Sequence, residues 1–389
     1  MPSSDNHGSP MPFASFRRSI MTIRGEQVHS ETSHDSNNPY LDSFQKQVFT
    51  RFHELSVVKS DELLSISWVQ KLLDAFMNCQ EDFKVILSEN KALLSKPPAD
   101  KLATEYFERA IKAMDIFNAT RDGVETIRLW QKHLEIVVCA LDAQERTIGE
   151  GQFRRARKAL MDLALVMLED KDTGSIFSQR NRSFGRKGKE GKDHHRGSSG
   201  HSRSLSWSVS HNWSASKQLQ SIANNLVAPR ANEIAATNGL AVLFFSMSFI
   251  LMFVLWVLVA AIPCQDRGVQ INFSIPRQFS WSTPLLLLHS RILDESKKRE
   301  RRNSNGLLKE IYQIEKYFHQ MTDLVDAAQF PLSEELKEEV RENARELSLI
   351  CEACKSGLDP LERKLREAFR KAMHCRTEGL EFLGKATEP

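Results

Sequence analysis

The stretch GRKGKEGKD, at positions 185–193, comes closest to a catalytic motif. A phosphate-binding loop requires a glycine, four further residues, and Gly-Lys followed by a magnesium-binding serine or threonine. Counted from Gly185, Glu190 stands where the second glycine is required, and Asp193, which follows the Gly191-Lys192 pair, offers no hydroxyl group. We therefore interpret this stretch as a solvated basic linker rather than a nucleotide site.

A metal site is the second chemical possibility, because Cys351 and Cys354 are three residues apart. On a helix both thiols would share an apolar face with Leu347, where packing in the core is the default. A second pair at zinc-finger spacing is missing, and His374 and Cys375 complete four ligands only if the last two helices are antiparallel. We predict no metal and no cofactor.

Catalytic groups in other arrangements are also missing from the sequence. His194 and His195 lie in a polar stretch that cannot fix ligand geometry, and His289 is typical of a helix end. No GxSxG, HExxH or dinucleotide-binding fingerprint is present. The sequence therefore predicts no catalytic residue, no enzyme activity and no small-molecule substrate.

Phosphorylation is better supported than catalysis. Arg180 and Arg203 lie three residues before Ser183 and Ser206, as kinases that favour an upstream arginine require. Each phosphate would add nearly two negative charges to a segment whose attraction to acidic surfaces depends on positive charge. We expect phosphorylation to release this linker from a membrane or an acidic partner, and incidental sites are the alternative. Unchanged binding after phosphomimetic substitution would exclude the regulatory role.

Composition and charge narrow the class of protein. A hydrophobic fraction of 41% and a charged fraction of 26% over 389 residues are ordinary for a globular chain. The net charge of +3 is too small to indicate nucleic-acid binding. Six scattered cysteines suit a reducing compartment rather than a disulfide framework, and we expect no secretory signal because the first residues contain no apolar run.

One segment, GLAVLFFSMSFILMFVLWVLVAAI at positions 239–262, has no charged residue. As a helix it would measure about 36 Å, longer than the roughly 30 Å hydrocarbon core of a bilayer. We expect a single-pass membrane helix that contacts lipid through residues Gly239, Leu243, Phe249, Leu255, Trp256 and Ile262, with most of the chain cytosolic. The alternative is a soluble cytosolic protein, because a helix that is hydrophobic all round can also form the centre of a bundle.

Helical periodicity governs the segments on both sides of this run. Apolar residues recur at intervals of three and four, and no run shows a convincing strand alternation. The sequence predicts an all-α protein: two helical bundles that flank a basic disordered linker and the long hydrophobic helix. The predicted ranges are 1–39 (disordered), 40–172 (first bundle), 173–212 (linker), 213–238 (helical lead-in), 239–262 (hydrophobic helix), 263–283 (loop) and 284–389 (second bundle).

Three signals predict where individual helices begin. Ser60, followed by two acidic residues, is a good N-cap, and Ser333 is another. Asp359 followed by Pro360 predicts the start of a separate last helix, because proline is favoured at the first helical position.

Two basic segments are candidates for partner binding. The first is an amphipathic island at 13–24, with the residues Phe13, Phe16, Arg17, Arg18, Ile20 and Ile23. The second is the start of a helix predicted over 153–168, with the basic residues Arg154, Arg155, Arg157 and Lys158 and the core residues Leu160, Leu163 and Met167. Such segments suit a partner groove or an anionic membrane, and a structural or solvated role stays open for both.

Several phrases of the sequence resemble one plant family. They are FASFRRSIMTIRGEQVHS, LDSFQKQVFTRFHEL and SISWVQKLLDAFMNCQEDFK, followed by the basic serine-rich linker and the single apolar run. Together they resemble the BYPASS-related and ROH-type proteins over essentially the whole chain. The N-terminal phrases are the specific part of this resemblance, since an apolar run alone is generic.

The resemblance implies a non-enzymatic helical protein with a single membrane pass and no catalytic motif to carry over. Some members are linked to the exocyst through one of its subunits, and hence to polarised secretion such as cell-wall or mucilage deposition. Others are linked to a root-to-shoot developmental signal. The N-terminal phrase and the length favour the exocyst-linked branch, which implies a membrane-associated adaptor; a soluble developmental regulator is the alternative.

Overall fold

Helices make up all the regular structure in the part of the chain that this computed structural model describes, namely residues 39–141, 149–169, 214–224, 226–264, 273–300 and 304–384. The all-α prediction is confirmed. The helices of these ranges are α1 (Pro39–Ser56), α2 (Ile66–Glu89), α3 (Lys91–Leu94), α4 (Ala99–Leu141), α5 (Glu150–Glu169), α6 (Ala215–Ala223), α7 (Ala231–Ala236), α8 (Leu240–Ala261), α9 (Ser282–Glu300), α10 (Lys309–Ala327) and α11 (Glu334–Phe382).

The apolar helix α8 lies at the centre of the unit that begins at Asn38. It contacts α2, α4, α6 and α7, and of its residues only Val242 is less than fully buried. The long helix α11 packs along both α4 and α2. Helices from both sides of the predicted linker therefore contribute to one core around α8.

The start of α2 differs from the prediction. Ser60 lies in a turn, and the N-cap is Ser65, whose hydroxyl accepts a hydrogen bond from the Trp68 amide at 3.2 Å. The Leu64 carbonyl, just before this cap, accepts a hydrogen bond from the Lys309 amide at 2.9 Å. The prediction of a helix start at Ser60 was wrong because this contact with α10 fixes the preceding residues in a non-helical turn.

The end of the chain also differs from the prediction, since α11 runs through Pro360 without a break. Ser333 caps α11 as predicted, and its hydroxyl accepts a hydrogen bond from the Leu336 amide at 3.2 Å. A proline inside a helix costs about 3 kcal/mol. Leu358 and Leu361, which flank Pro360, are buried, and this packing offsets the cost of the lost hydrogen bond.

Close contacts at the two ends of α8 require glycine. Gly239, which precedes α8, has a φ of 86°, a left-handed conformation that glycine adopts without steric cost. At the other end, Gly123 of α4 lies against the backbone of Pro263, and a Cβ at that position would overlap the Pro263 carbonyl oxygen. These two glycines allow α8 to pack tightly within the core.

Candidate partner-binding surface

Among the described residues, α8 is the one helix long and apolar enough to cross a membrane, by length and composition. The structure buries this helix among the other helices of the chain. The residues predicted to contact lipid all lie inside the body: Gly239, Leu243, Phe249, Leu255, Trp256 and Ile262. Length and composition alone are properties that a membrane helix and a core helix share.

A polar contact lies in the middle of this apolar helix. Ser246 is fully buried, and its hydroxyl oxygen accepts hydrogen bonds from Gln45 Nε2 at 2.9 Å and from Trp281 Nε1 at 3.2 Å. The two donors belong to α1 and to the segment before α9. Most buried indole N–H groups pair with an acceptor of this kind. Through these two hydrogen bonds Ser246 joins three parts of the chain.

Aromatic contacts surround α8 on further sides. Phe244 meets Phe83 of α2 with ring centroids 5.5 Å apart, in an edge-to-face arrangement. Phe253 meets Phe52 of α1 in the same way at 6.3 Å. Edge-to-face pairs are favourable beyond the area that they bury. The helix is therefore fitted to particular side chains of its neighbours rather than covered by apolar surface in general.

Buried titratable groups take part in structural contacts. The carboxylate of Glu310 accepts hydrogen bonds from the Ile66 amide at 3.1 and 3.2 Å, and so caps the first turn of α2. Burial raises the pKa of Glu310 above its ordinary value, although these hydrogen bonds act in the opposite direction. His289 lies 5.0 Å from the ring of Trp256 and 4.9 Å from that of Phe273, and burial lowers its pKa.

The paired cysteines of α11 lie in the core. Burial raises the pKa of Cys351 and of Cys354 to about 12, and both side chains pack in the core. His374 faces Glu378, with Nε2 and Oε1 3.0 Å apart. Within the described ranges no group of three histidine, cysteine or acidic side chains has an arrangement that could hold a metal ion.

The inner side of α5 is anchored in the core. Leu160, Leu163 and Met167 are buried, as the sequence predicted. At the start of the helix, the Phe153 ring meets the Phe330 ring edge-on at 5.4 Å. Since α5 packs against α4 and α10, its position on the surface is fixed by the rest of the fold.

The opposite side of α5 carries large apolar side chains that face solvent. Met161, Leu165 and Leu168 are 61%, 60% and 57% exposed. Together with Arg154 and Lys158, which are also exposed, they are spaced alternately by four and three residues. This is the heptad spacing that places residues on one seam of a helix. We call these five residues the α5 outer face.

The structure separates the basic residues that the sequence grouped together. Arg157 makes a structural contact with α10: its guanidinium donates to Asp326 Oδ1 at 3.0 Å and to the Val325 carbonyl at 2.7 Å. Arg155 is exposed beside the α5 outer face, and its side chain is directed away from the seam by the 100° step of the helix. Arg154 and Lys158 therefore are the basic members of the outer face.

The other predicted sites lie outside the described residues. These are the amphipathic island, with Phe13, Phe16, Arg17, Arg18, Ile20 and Ile23, and the phosphorylation candidates Ser183 and Ser206. Their partner-binding and regulatory roles stay predictions.

Sequence reasoning missed the apolar half of the α5 outer face. Met161, Leu165 and Leu168 were not among the predicted binding residues, although the sequence held a signal that could have found them. A surface helix needs one apolar stripe to pack on its domain. Between Phe153 and Leu168 the sequence has two apolar series at heptad spacing, on different sides of the helix. Only one of them can pack against the core, so the other is left on the surface.

Comparisons with known proteins match the chain over nearly its full length. A family model described as Protein ROH1-like matches residues 10–383. Protein ROH1D of Arabidopsis thaliana is 52% identical over 387 residues, which cover 95% of this chain and 97% of that relative. Protein ROH1A of the same plant is 34% identical over 425 residues, which cover 100% of this chain and 99% of that relative. No solved structure matches the chain. With a family model and two relatives that span nearly its full length, the chain belongs to the ROH1-like family of plant proteins.

Proposed function

We propose that this chain is a non-enzymatic regulator that binds another protein through the α5 outer face. One observation supports this proposal above all, the exposure of Met161, Leu165 and Leu168 on a helix whose other side is fixed in the core. Burying a large apolar side chain is worth about 1.5–3 kcal/mol. Three such side chains on one seam therefore make a surface that gains free energy when a partner covers it.

The use of the buried titratable groups supports the absence of catalysis. Glu310 caps a helix, His289 packs between aromatic rings, and Cys351 and Cys354 are protonated thiols within the core. Each of these groups has a structural role that accounts for its position. The names of both relatives likewise contain no enzyme activity.

We also propose that α8 is the core helix of a soluble protein. The two hydrogen bonds to Ser246 and the edge-to-face contacts of Phe244 and Phe253 support this view, because insertion into a bilayer would break all of them. A membrane-anchored adaptor is the second candidate. It is favoured by the length of α8, whose 22 residues span about 33 Å as a helix.

A subunit of the exocyst is the partner that the family resemblance implies, and capture of exocyst subunits tests the binding role. The purified full-length chain would be compared with the double variant Met161→Asp/Leu165→Asp. The matched control is Leu349→Asp, because Leu349 of α11 is equally exposed at 61%. We expect the double variant to capture at least about tenfold less of an exocyst subunit, the effect of losing central apolar contacts, and the control to bind normally.

Two results would count against this function. Equal capture by the double variant and the wild type would exclude the α5 outer face as the docking surface. Equal loss in the double variant and in Leu349→Asp would indicate a general effect of a surface aspartate. Circular dichroism of all three proteins checks that the helical fold is retained.

A further inference from the structure

We propose that the α5 outer face binds an acidic amphipathic helix of a partner protein, which packs along it as the second helix of a short coiled coil. The proposal rests on the proposed function, since it names the chemistry of the partner that this surface takes. It commits to a protein helix rather than to a lipid surface or a second copy of this chain.

The spacing of the outer face indicates that its partner is a helix. Arg154, Lys158, Met161, Leu165 and Leu168 follow one another at four, three, four and three residues. These are the intervals between the core positions of a heptad repeat, and a seam of this kind packs against a matching seam on another helix. The seam from Arg154 to Leu168 is about 21 Å long, so the partner needs about two heptads.

The charge of the outer face indicates that the partner helix is acidic at one end. Arg154 and Lys158 occupy the first half of the seam, and exposed Arg155 lies beside them. Arg154 is paired with Glu150 at 2.9 Å, but their side chains are 79% and 69% exposed. Such pairs contribute little, so Arg154 can exchange Glu150 for an acid of the partner. Acidic residues would therefore face the start of α5, and apolar residues its end.

A second copy of this chain fits the surface poorly. Parallel pairing of two α5 helices would place Arg154 and Lys158 against the same cationic residues of the copy. Antiparallel pairing would place them against Leu165 and Leu168, where each charge would lose water without gaining a partner. A different chain with acidic side chains avoids both penalties.

A lipid surface also fits the seam poorly. Helices that lie in a membrane interface carry an apolar face along their length, with basic residues on the polar face. On α5 the cations Arg154 and Lys158 lie on the same line as Met161, Leu165 and Leu168. Insertion of this face would place both cations among the acyl chains, whereas a protein helix can offer them carboxylates.

Binding of designed peptides to the purified full-length chain tests the proposal. One fluorescent peptide has leucine at the heptad core positions and glutamate around them, and its counterpart has lysine in place of every glutamate. We expect the acidic peptide to bind at least about tenfold more tightly than the basic one, the difference that close charge pairs can give. Lys158→Glu should weaken binding of the acidic peptide. Arg155→Glu, the matched control off the seam, should reduce its affinity less.

A charge exchange gives the most specific readout. The double variant Arg154→Glu/Lys158→Glu should prefer the basic peptide over the acidic one, which a merely structural role of these two residues cannot produce. Equal binding of both peptides to the wild-type chain would overturn the proposal. So would stronger binding to phosphatidylcholine vesicles that contain phosphatidylserine than to either peptide, or a stable dimer that Leu165→Asp dissociates.

Failure of this inference is distinguishable from failure of the proposed function. If Met161→Asp/Leu165→Asp abolishes capture of a protein partner while Lys158→Glu leaves it unchanged, the docking surface stands and the acidic partner is wrong. If both variants capture the partner normally, the α5 outer face is not the docking surface and both proposals fall.

Discussion

Glu310 illustrates how single side chains determine where helices of this fold begin. It lies on α10, 244 positions from Ile66, whose amide donates a hydrogen bond to its carboxylate. It supplements the local N-cap Ser65 by satisfying a further N–H of the first turn of α2. Burial disfavours its charged form, and the Ile66 amide partly compensates. The cap therefore joins α2 and α10 at a group that titrates.

A pH dependence follows from the raised pKa of Glu310. Because the folded chain keeps this proton to higher pH than the unfolded chain, stability decreases as pH rises from the ordinary value of 4.5 through the folded pKa. Glu310→Gln retains an acceptor for Ile66 but does not titrate. We expect the free energy of unfolding of the variant, relative to the wild type, to increase between acidic and neutral pH. Parallel denaturation curves at both pH values would contradict this account of Glu310.

Gly123 gives a steric prediction at the same scale. Alanine in a helix interior is favoured over glycine by up to about 1 kcal/mol. At Gly123, however, the new methyl group would overlap the carbonyl oxygen of Pro263 and lie 2.8 Å from Ile262 Cγ2. We expect Gly123→Ala to destabilise the chain by about 1–3 kcal/mol in urea denaturation.

The control for Gly123 is a helical glycine in open space. A Cβ added at Gly151 of α5 meets no atom within 4 Å, so Gly151→Ala should be neutral or stabilising by some tenths of a kcal/mol. If the two substitutions had the same effect, the close approach of α4 to the end of α8 would not be a constraint on the fold.

At the scale of elements, α8 is held by particular partners as well as by its apolar character. Ser246 is the test of this distinction, because its hydroxyl oxygen accepts from Gln45 and Trp281. Ser246→Ala would leave the buried Trp281 N–H without this acceptor, which costs about 1–3 kcal/mol. We expect a corresponding decrease in the urea midpoint of the purified chain.

Ser248→Ala is the matched control for Ser246, since Ser248 is equally buried in α8 and receives neither of these two hydrogen bonds. Its substitution should cost less than that of Ser246. If neither Ser246→Ala nor Ser248→Ala lowered the urea midpoint, α8 would not pack as described.

The sequence predicted the helices better than their ends. Intervals of three and four identified the buried side of α5, and Ser333 caps α11 as predicted. Ser60 and Pro360 misled because local signals are weak beside tertiary contacts. Lys309 fixes the turn at Leu64, and packing of Leu358 and Leu361 carries α11 through the proline. These contacts join residues far apart in the chain, so no local pattern could report them.

The candidate surface was predictable in part. Arg154 and Lys158 could be found from the sequence because charged residues indicate the exposed side of a helix. The exposure of Met161, Leu165 and Leu168 followed from the predicted burial of Leu160, Leu163 and Met167, but the sequence does not say which helices select that side of α5 for the core. That choice depends on where α4 and α10 lie, which is a property of the assembled fold.

At the scale of the whole molecule, the position of α8 distinguishes a soluble chain from one that spans a membrane. Helices α2 and α4 before the apolar run and His289 of α9 after it contact α8, and our proposal that α8 is a core helix depends on these contacts. The docking role of α5 is independent of this claim. The site at which the protein acts does depend on it, since a chain without a membrane helix reaches a membrane by binding a partner or the lipid surface.

Alkaline carbonate extraction of plant membranes that contain the tagged full-length chain tests this claim most directly. The companion samples are a single-pass membrane protein and the purified chain prepared without detergent. If α8 is a core helix, carbonate releases the chain into the supernatant, and the purified chain is a single folded species in buffer. Retention in the carbonate pellet with the single-pass protein, together with release only by detergent, would contradict the buried position of α8.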